Sequence, residues 1–146
     1  MAILNDVSLG SYYFEIGVLL REALFVNRIL WNFETLYNLS ENEVEELKLI
    51  DRILLKRIFN VPSSTPTPLL YLELGITTLS YIIKARRLMF LHYILKRKED
   101  NLLLKFFKAQ LNEPTKGDWC SQIKIDLEDF GIDVDFDYLK NYQSTK

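Results

Sequence analysis

Cys120, His92 and Asp126 are of the types that make a cysteine nucleophile, its general base and the group that orients the base. Their spacing argues against that use. On one helix Cys120 and Asp126 are about 1.7 turns apart and point well away from each other. His92 lies among Leu91, Tyr93 and Ile94, where a hydrogen-bonded packing role is expected. Asp133, Asp135 and Asp137 repeat the first three ligand spacings of an EF-hand calcium loop. Tyr138 then stands where that loop needs glycine, and Ser144 where it needs glutamate. The glycines occur singly, with no GxxxxGK[ST] or GxGxxG loop to cradle phosphate. A single cysteine excludes an internal disulfide, and one cysteine with one histidine excludes a standard structural zinc site. The expectation is a chain that is not an enzyme and holds neither metal nor cofactor.

A second pattern joins charge to aromatic surface. On a wheel of about 100° per residue, Arg86, Phe90, Tyr93 and Arg97 fall on one stripe. Two guanidinium groups flanking two rings can hold phosphates and offer faces on which a base or ribose stacks. Lys84, Arg87, Lys96 and Lys98 extend the positive charge, while Leu88, Leu91 and Leu95 form a separate, inward stripe. The competing reading makes Phe90 and Tyr93 core residues and lets the arginines lay their stems over apolar surface. Charge along the chain favours an anion-binding middle. Residues 1–50 carry 3 basic and 8 acidic side chains, residues 51–100 carry 9 and 4, and residues 101–146 carry 6 and 8.

The elements that must position these residues read as helices. From Tyr12 to about Leu36 apolar residues recur on every side (Phe14, Leu19, Leu24 and Ile29 among them), with no proline and only Gly17 as a weak point. Such a helix is buried all round and asks for more neighbours than a small domain supplies. Ser40 and Glu43 form a capping box, and Val44, Leu47, Ile50, Leu54 and Ile58 give a core-facing stripe behind it. Three prolines between Val61 and Pro68 break the run; Thr67 is expected to cap a short helix that Gly75 ends. Further helices follow over Thr78–Lys98, Asp100–Asn112 and from Trp119 to the stop at Gly131, with Trp119, Ile123, Leu127 and Phe130 on one face. The fold class is all-α, one compact domain of about five to seven helices over residues 1–131. Residues 132–146 form an acidic tail that is either extended or a frayed last helix.

With 146 residues, 49% of them hydrophobic and 26% charged, the chain is long enough to bury a core of its own. The apolar stretch Leu69–Leu95 is broken by Glu73, Lys84, Arg86 and Arg87, so no membrane span of about 20 apolar residues fits. The first six residues lack the basic and apolar regions of a signal peptide. An intracellular protein is expected, cytoplasmic or nuclear.

Six segments in order carry a likeness: Leu4–Gly10, Tyr13–Asn27, Val44–Phe59, Pro66–Gly75, Ile82–Tyr93 and Phe106–Trp119. Together they resemble the region after the polymerase core in the polyproteins of non-LTR (LINE-like) retrotransposons, from residue 4 to about residue 132. That family's palm carries metal-binding aspartates in a YADD-type motif, and no Asp-Asp pair occurs here. What the resemblance implies is the helical thumb and its C-terminal extension without fingers or palm: a fragment, a degenerate element copy or a host gene derived from one. It further implies a non-catalytic segment that grips an RNA/DNA template–primer, with Lys84, Arg86 and Arg87 facing nucleic acid, and that packs on a polymerase core. The alternative is a protein-interaction module, joining another protein or a second copy through apolar surface near Phe14, Leu19 and Leu24.

Overall fold

The computed structural model describes residues 7–35 and 39–140, with the backbone alone for residues 7–11, 41 and 140. Leu4–Asp6 of the resemblance, Leu36 at the expected end of the first helix and the tail beyond residue 140 lie outside the described residues. All regular structure among the described residues is helical. In chain order the helices are α1 (Val7–Arg21), α2 (Glu41–Ile58), α3 (Thr67–Glu73), α4 (Leu79–Leu95), α5 (Leu102–Asn112), α6 (Trp119–Asp129) and α7 (Phe136–Lys140). Helix α1 continues into a π-helical turn, Glu22–Val26, and a last α-helical turn, Asn27–Ile29. No helix among the described residues is long and apolar enough to cross a membrane.

The helix ends follow local chemistry. The Ser40 hydroxyl accepts from the Glu43 N–H, and the Glu43 carboxylate accepts from the Ser40 N–H at 2.8 Å, closing the capping box. These Ser40 hydrogen bonds hold the Glu43 carboxyl below its ordinary value. At the other end of α2, Asn60 takes a positive φ of 49°, so that Val61 N–H reaches the Lys56 carbonyl at 3.0 Å and Asn60 N–H reaches that of Arg57. Gly75 and Gly131 end α3 and α6 through the same pair of bonds and also have positive φ. Helix α3 begins one residue earlier than expected. Pro66 is its cap and Pro68 lies inside the first turn, where no intrahelical N–H is missed.

The described residues divide into two units. In the first, residues up to Trp31 and from Ser40 to Ile82, Leu55, Phe59 and Leu70 form a core against which Val18, Ile58, Val61, Tyr71, Leu74 and Ile76 pack. The expected α2 stripe is off by one position. Asp51, Leu55 and Phe59 are the buried set, and Ile50 is exposed, because Asp51 turns inward to bind Arg21. Gly17 is a close approach rather than a weak point: a Cβ there would lie 2.5 Å from the Phe59 ring. Instead of being buried all round, α1 and its continuation leave Phe14, Leu19 and Leu24 half or more exposed, although Phe14 stacks on Phe59 at 5.7 Å.

Of the described residues, the second unit holds 32–35, 39 and 83–140. Its core gathers Leu91 and Ile94 of α4, Leu104, Phe107 and Leu111 of α5, Trp119, Ile123 and Leu127 of α6, and Leu139 of α7. The tail is therefore helical over residues 136–140 and packed through Leu139. Asp135 starts it, accepting from the Asp137 and Tyr138 N–H groups. Helix α6 is capped by Asp118, which accepts from Ser121 N–H at 2.7 Å and Thr115 N–H at 2.8 Å. Burial pushes this carboxyl up, but the hydrogen bonds from Ser121 and Thr115 outweigh it and hold it below its ordinary value. Its stabilisation is thus complete above the unfolded value of about 4 and disappears as pH falls through the lower folded value. Asp118→Ala should cost about 1–2 kcal/mol at pH 7. In acid titrations followed by circular dichroism, the gap between variant and wild type should close as pH falls through the lowered folded value of Asp118.

Candidate nucleic-acid interface

Helix α4 carries Arg86, Phe90 and Tyr93 of the stripe that the sequence singles out; the helix expected to reach Lys98 ends at Leu95, and Arg97 follows in the turn beyond it. Phe90 and Tyr93 lie one turn apart with ring planes 13° from parallel and centroids 6.0 Å apart. The Arg97 guanidinium sits 3.7 Å from the Tyr93 ring centre, a cation–π contact that fixes its charge at the end of the aromatic pair. Behind the pair stands Trp119, whose ring meets Phe90 edge-on at 5.8 Å and Phe107 at 6.0 Å. Its indole N–H donates to the Glu34 carbonyl at 2.9 Å, which ties the segment before α2 onto this unit. Arg86 lines the same groove as Phe90 and Tyr93, together with Met89, Leu103 and Glu34, enclosing about 570 Å³. Tyr93 is about half exposed and Met89 is 71% exposed, so the wall of the groove is open to a ligand.

Two of the expected contacts do not belong to this surface. Arg87 is 5% exposed and points into the unit. There its Nε donates to Asp126 Oδ2 at 2.6 Å and its Nη2 to Oδ1 at 2.9 Å, so the guanidinium cannot reach a phosphate. Lys84 pairs with Asp129, which offsets its charge. The reason lies in α4 itself: apolar residues occur all round it, so periodicity does not tell which cations face a neighbour and which face water. Sequence reasoning also missed Glu34, Met89 and Leu103 as groove residues. No pattern in the chain marks them.

The remaining candidate for chemistry is displaced by its surroundings. Cys120 is buried, with its sulfur 3.5 Å from Gln110 Oε1 and 4.0 Å from the Phe107 carbonyl. Burial, with the Asp118 charge, pushes its thiol up to about 12, the wrong direction for a nucleophile. Asp126 is engaged by Arg87, and His92 is exposed on α4 rather than packed. Among the described residues no group of three His, Cys, Asp or Glu side chains could hold a metal ion. No protein-family model matches the chain, and neither a curated protein nor a solved structure matches it.

Proposed function

We propose that this chain is a non-catalytic helical module that holds nucleic-acid backbone along α4, as the thumb of a LINE-like reverse transcriptase would hold its template–primer. The observation that carries the reading is the Phe90–Tyr93–Arg97 stack beside Arg86 on an open groove. Arginine heads fixed at a ring face suit phosphate and sugar, and ring faces suit bases of any sequence. Lys96 and Lys98, both exposed, add charge beyond the stack. Glu34 on the groove rim sets a limit, since a strand must pass it at a distance. The contacts carried forward are Arg86, Phe90, Tyr93 and Arg97.

Fluorescence anisotropy against a short RNA–DNA hybrid at about 50 and 200 mM salt tests this directly. Affinity should fall steeply with salt, and the Arg86→Ala/Arg97→Ala double variant should flatten the logarithmic salt slope by about one to two units. An unchanged slope in that variant would discard the face. Exposed apolar side chains at Phe14, Leu19 and Leu24 favour a second reading, association with another copy or a polymerase core. No hybrid binding at low salt, with a concentration-dependent dimer relieved by Leu19→Glu, would replace the first reading with the second.

A further inference from the structure

The first unit contains a cavity of about 890 Å³ bordered by α2, α3 and the start of α4. Its walls are of two kinds. Tyr71, Tyr81, Leu72 and Ile76 present aromatic and aliphatic surface, whereas α2 presents the cations Lys48 and Arg52, one turn apart, and the Glu45 carboxylate. Lys48 is held at 2.7 Å by Glu45, and Arg52 makes no hydrogen bond or ion pair among the described residues. The cavity thus keeps one cation in excess, beside Thr78 and Ser80, which also line it. Tyr71 is fixed before any ligand arrives, because its hydroxyl donates at 2.7 Å to Asp51 and that carboxylate is itself held by Arg21. A concave, mostly apolar site with a few convergent polar groups and a preset wall has the physical form of a small-molecule site.

We propose that this cavity binds an aromatic phosphomonoester, the ring against Tyr71, Tyr81 and Leu72, the phosphate between Arg52 and Lys48. The charge excess disfavours cations, and the apolar wall disfavours inorganic phosphate alone. The site belongs to the first unit and the proposed nucleic-acid face to the second, so the two stand or fall separately.

Isothermal titration of the full chain with 1-naphthyl phosphate is the test, with folding checked by circular dichroism. One saturable site is expected. Arg52→Ala should weaken binding about tenfold, the scale of one charge-assisted contact. Leu72→Glu, at a position 77% exposed in the free chain and therefore tolerant of charge, should weaken it at least as much. 1-Naphthol should bind about tenfold less tightly and ignore Arg52→Ala. Arg86→Ala/Arg97→Ala should leave naphthyl phosphate binding unchanged. No saturation by about 1 mM overturns the proposal. So does equal affinity in wild type, Arg52→Ala and Leu72→Glu, or loss of binding in the Arg86→Ala/Arg97→Ala variant.

Discussion

Arg87→Ala should destabilise the chain by about 3–5 kcal/mol, because it leaves the Asp126 carboxylate buried with no cation. Asp126 is fully buried, and with Arg87 gone Gln122 Nε2, 3.3 Å away, is the one donor left to it among the described residues. Removing both charges is a different experiment. Arg87→Met with Asp126→Leu fills similar space without a desolvated ion and should recover most of the loss. Urea unfolding followed by Trp119 fluorescence in a Trp31→Phe background measures both variants, since Trp119 packs in the same core. A loss below about 1 kcal/mol for Arg87→Ala would show a solvated pair, and would return Arg87 to the list of phosphate contacts.

The neighbouring residue makes the same point from the other side. Arg86→Ala removes a groove arginine and should leave the unfolding free energy within about 0.5 kcal/mol of wild type. Lost nucleic-acid binding in an Arg86/Arg87 double variant would therefore mix unfolding with lost contact. The two arginines are adjacent in sequence, yet one lines the groove and the other closes the interior. Nothing local separates them. Arg87 goes inward because Asp126, 39 residues later, is buried on α6 where it can accept both donors.

What was legible in the sequence is what depends on near neighbours. The Ser40–Glu43 box, the stops at Gly75 and Gly131 and the turn before Trp119 each rest on contacts within a few residues, and each is found. The aromatic and arginine stripe was also legible, because side chains three or four residues apart meet along a helix and into the turn that ends it. Long-range pairing was hidden. A charged residue in a helix reads as solvent-facing, so sequence periodicity favours Ile50 over the buried Asp51, and nothing near Gly17 in sequence signals the Phe59 ring packed against it. The residues that line the first unit's cavity come from α2 and from the stretch between α3 and the start of α4, and no pattern in the sequence joins the two.

Asp51→Ala should cost the first unit about 3–5 kcal/mol, and it also tests why that unit buries a charge at all. Arg21 and Asp51 are both fully buried, joined by two hydrogen bonds of 2.7 and 2.8 Å. Arg21 also donates to Glu22 at 3.0 Å and to the Thr77 carbonyl at 3.3 Å, so its guanidinium ties α1, α2 and the loop before α4 together. Burial, reinforced by Asp51, pushes the Tyr71 phenol well above its ordinary value, so it stays a donor across the accessible pH range. A buried pair adds little stability over well-packed apolar side chains. Arg21→Met with Asp51→Leu should therefore fold nearly as well as wild type, as judged by urea unfolding and by hydrogen exchange in α2. Its Tyr71 hydroxyl, however, has lost its acceptor and the cavity wall its anchor. Affinity for 1-naphthyl phosphate should fall in this stable variant, whereas Tyr71→Phe, which keeps Arg21 on Asp51, should cost only about 1 kcal/mol of stability. A stable double variant with undiminished affinity would mean that the ion pair fixes the packing of helices alone. Loss of affinity with stability retained would assign it the second task of holding Tyr71 in place.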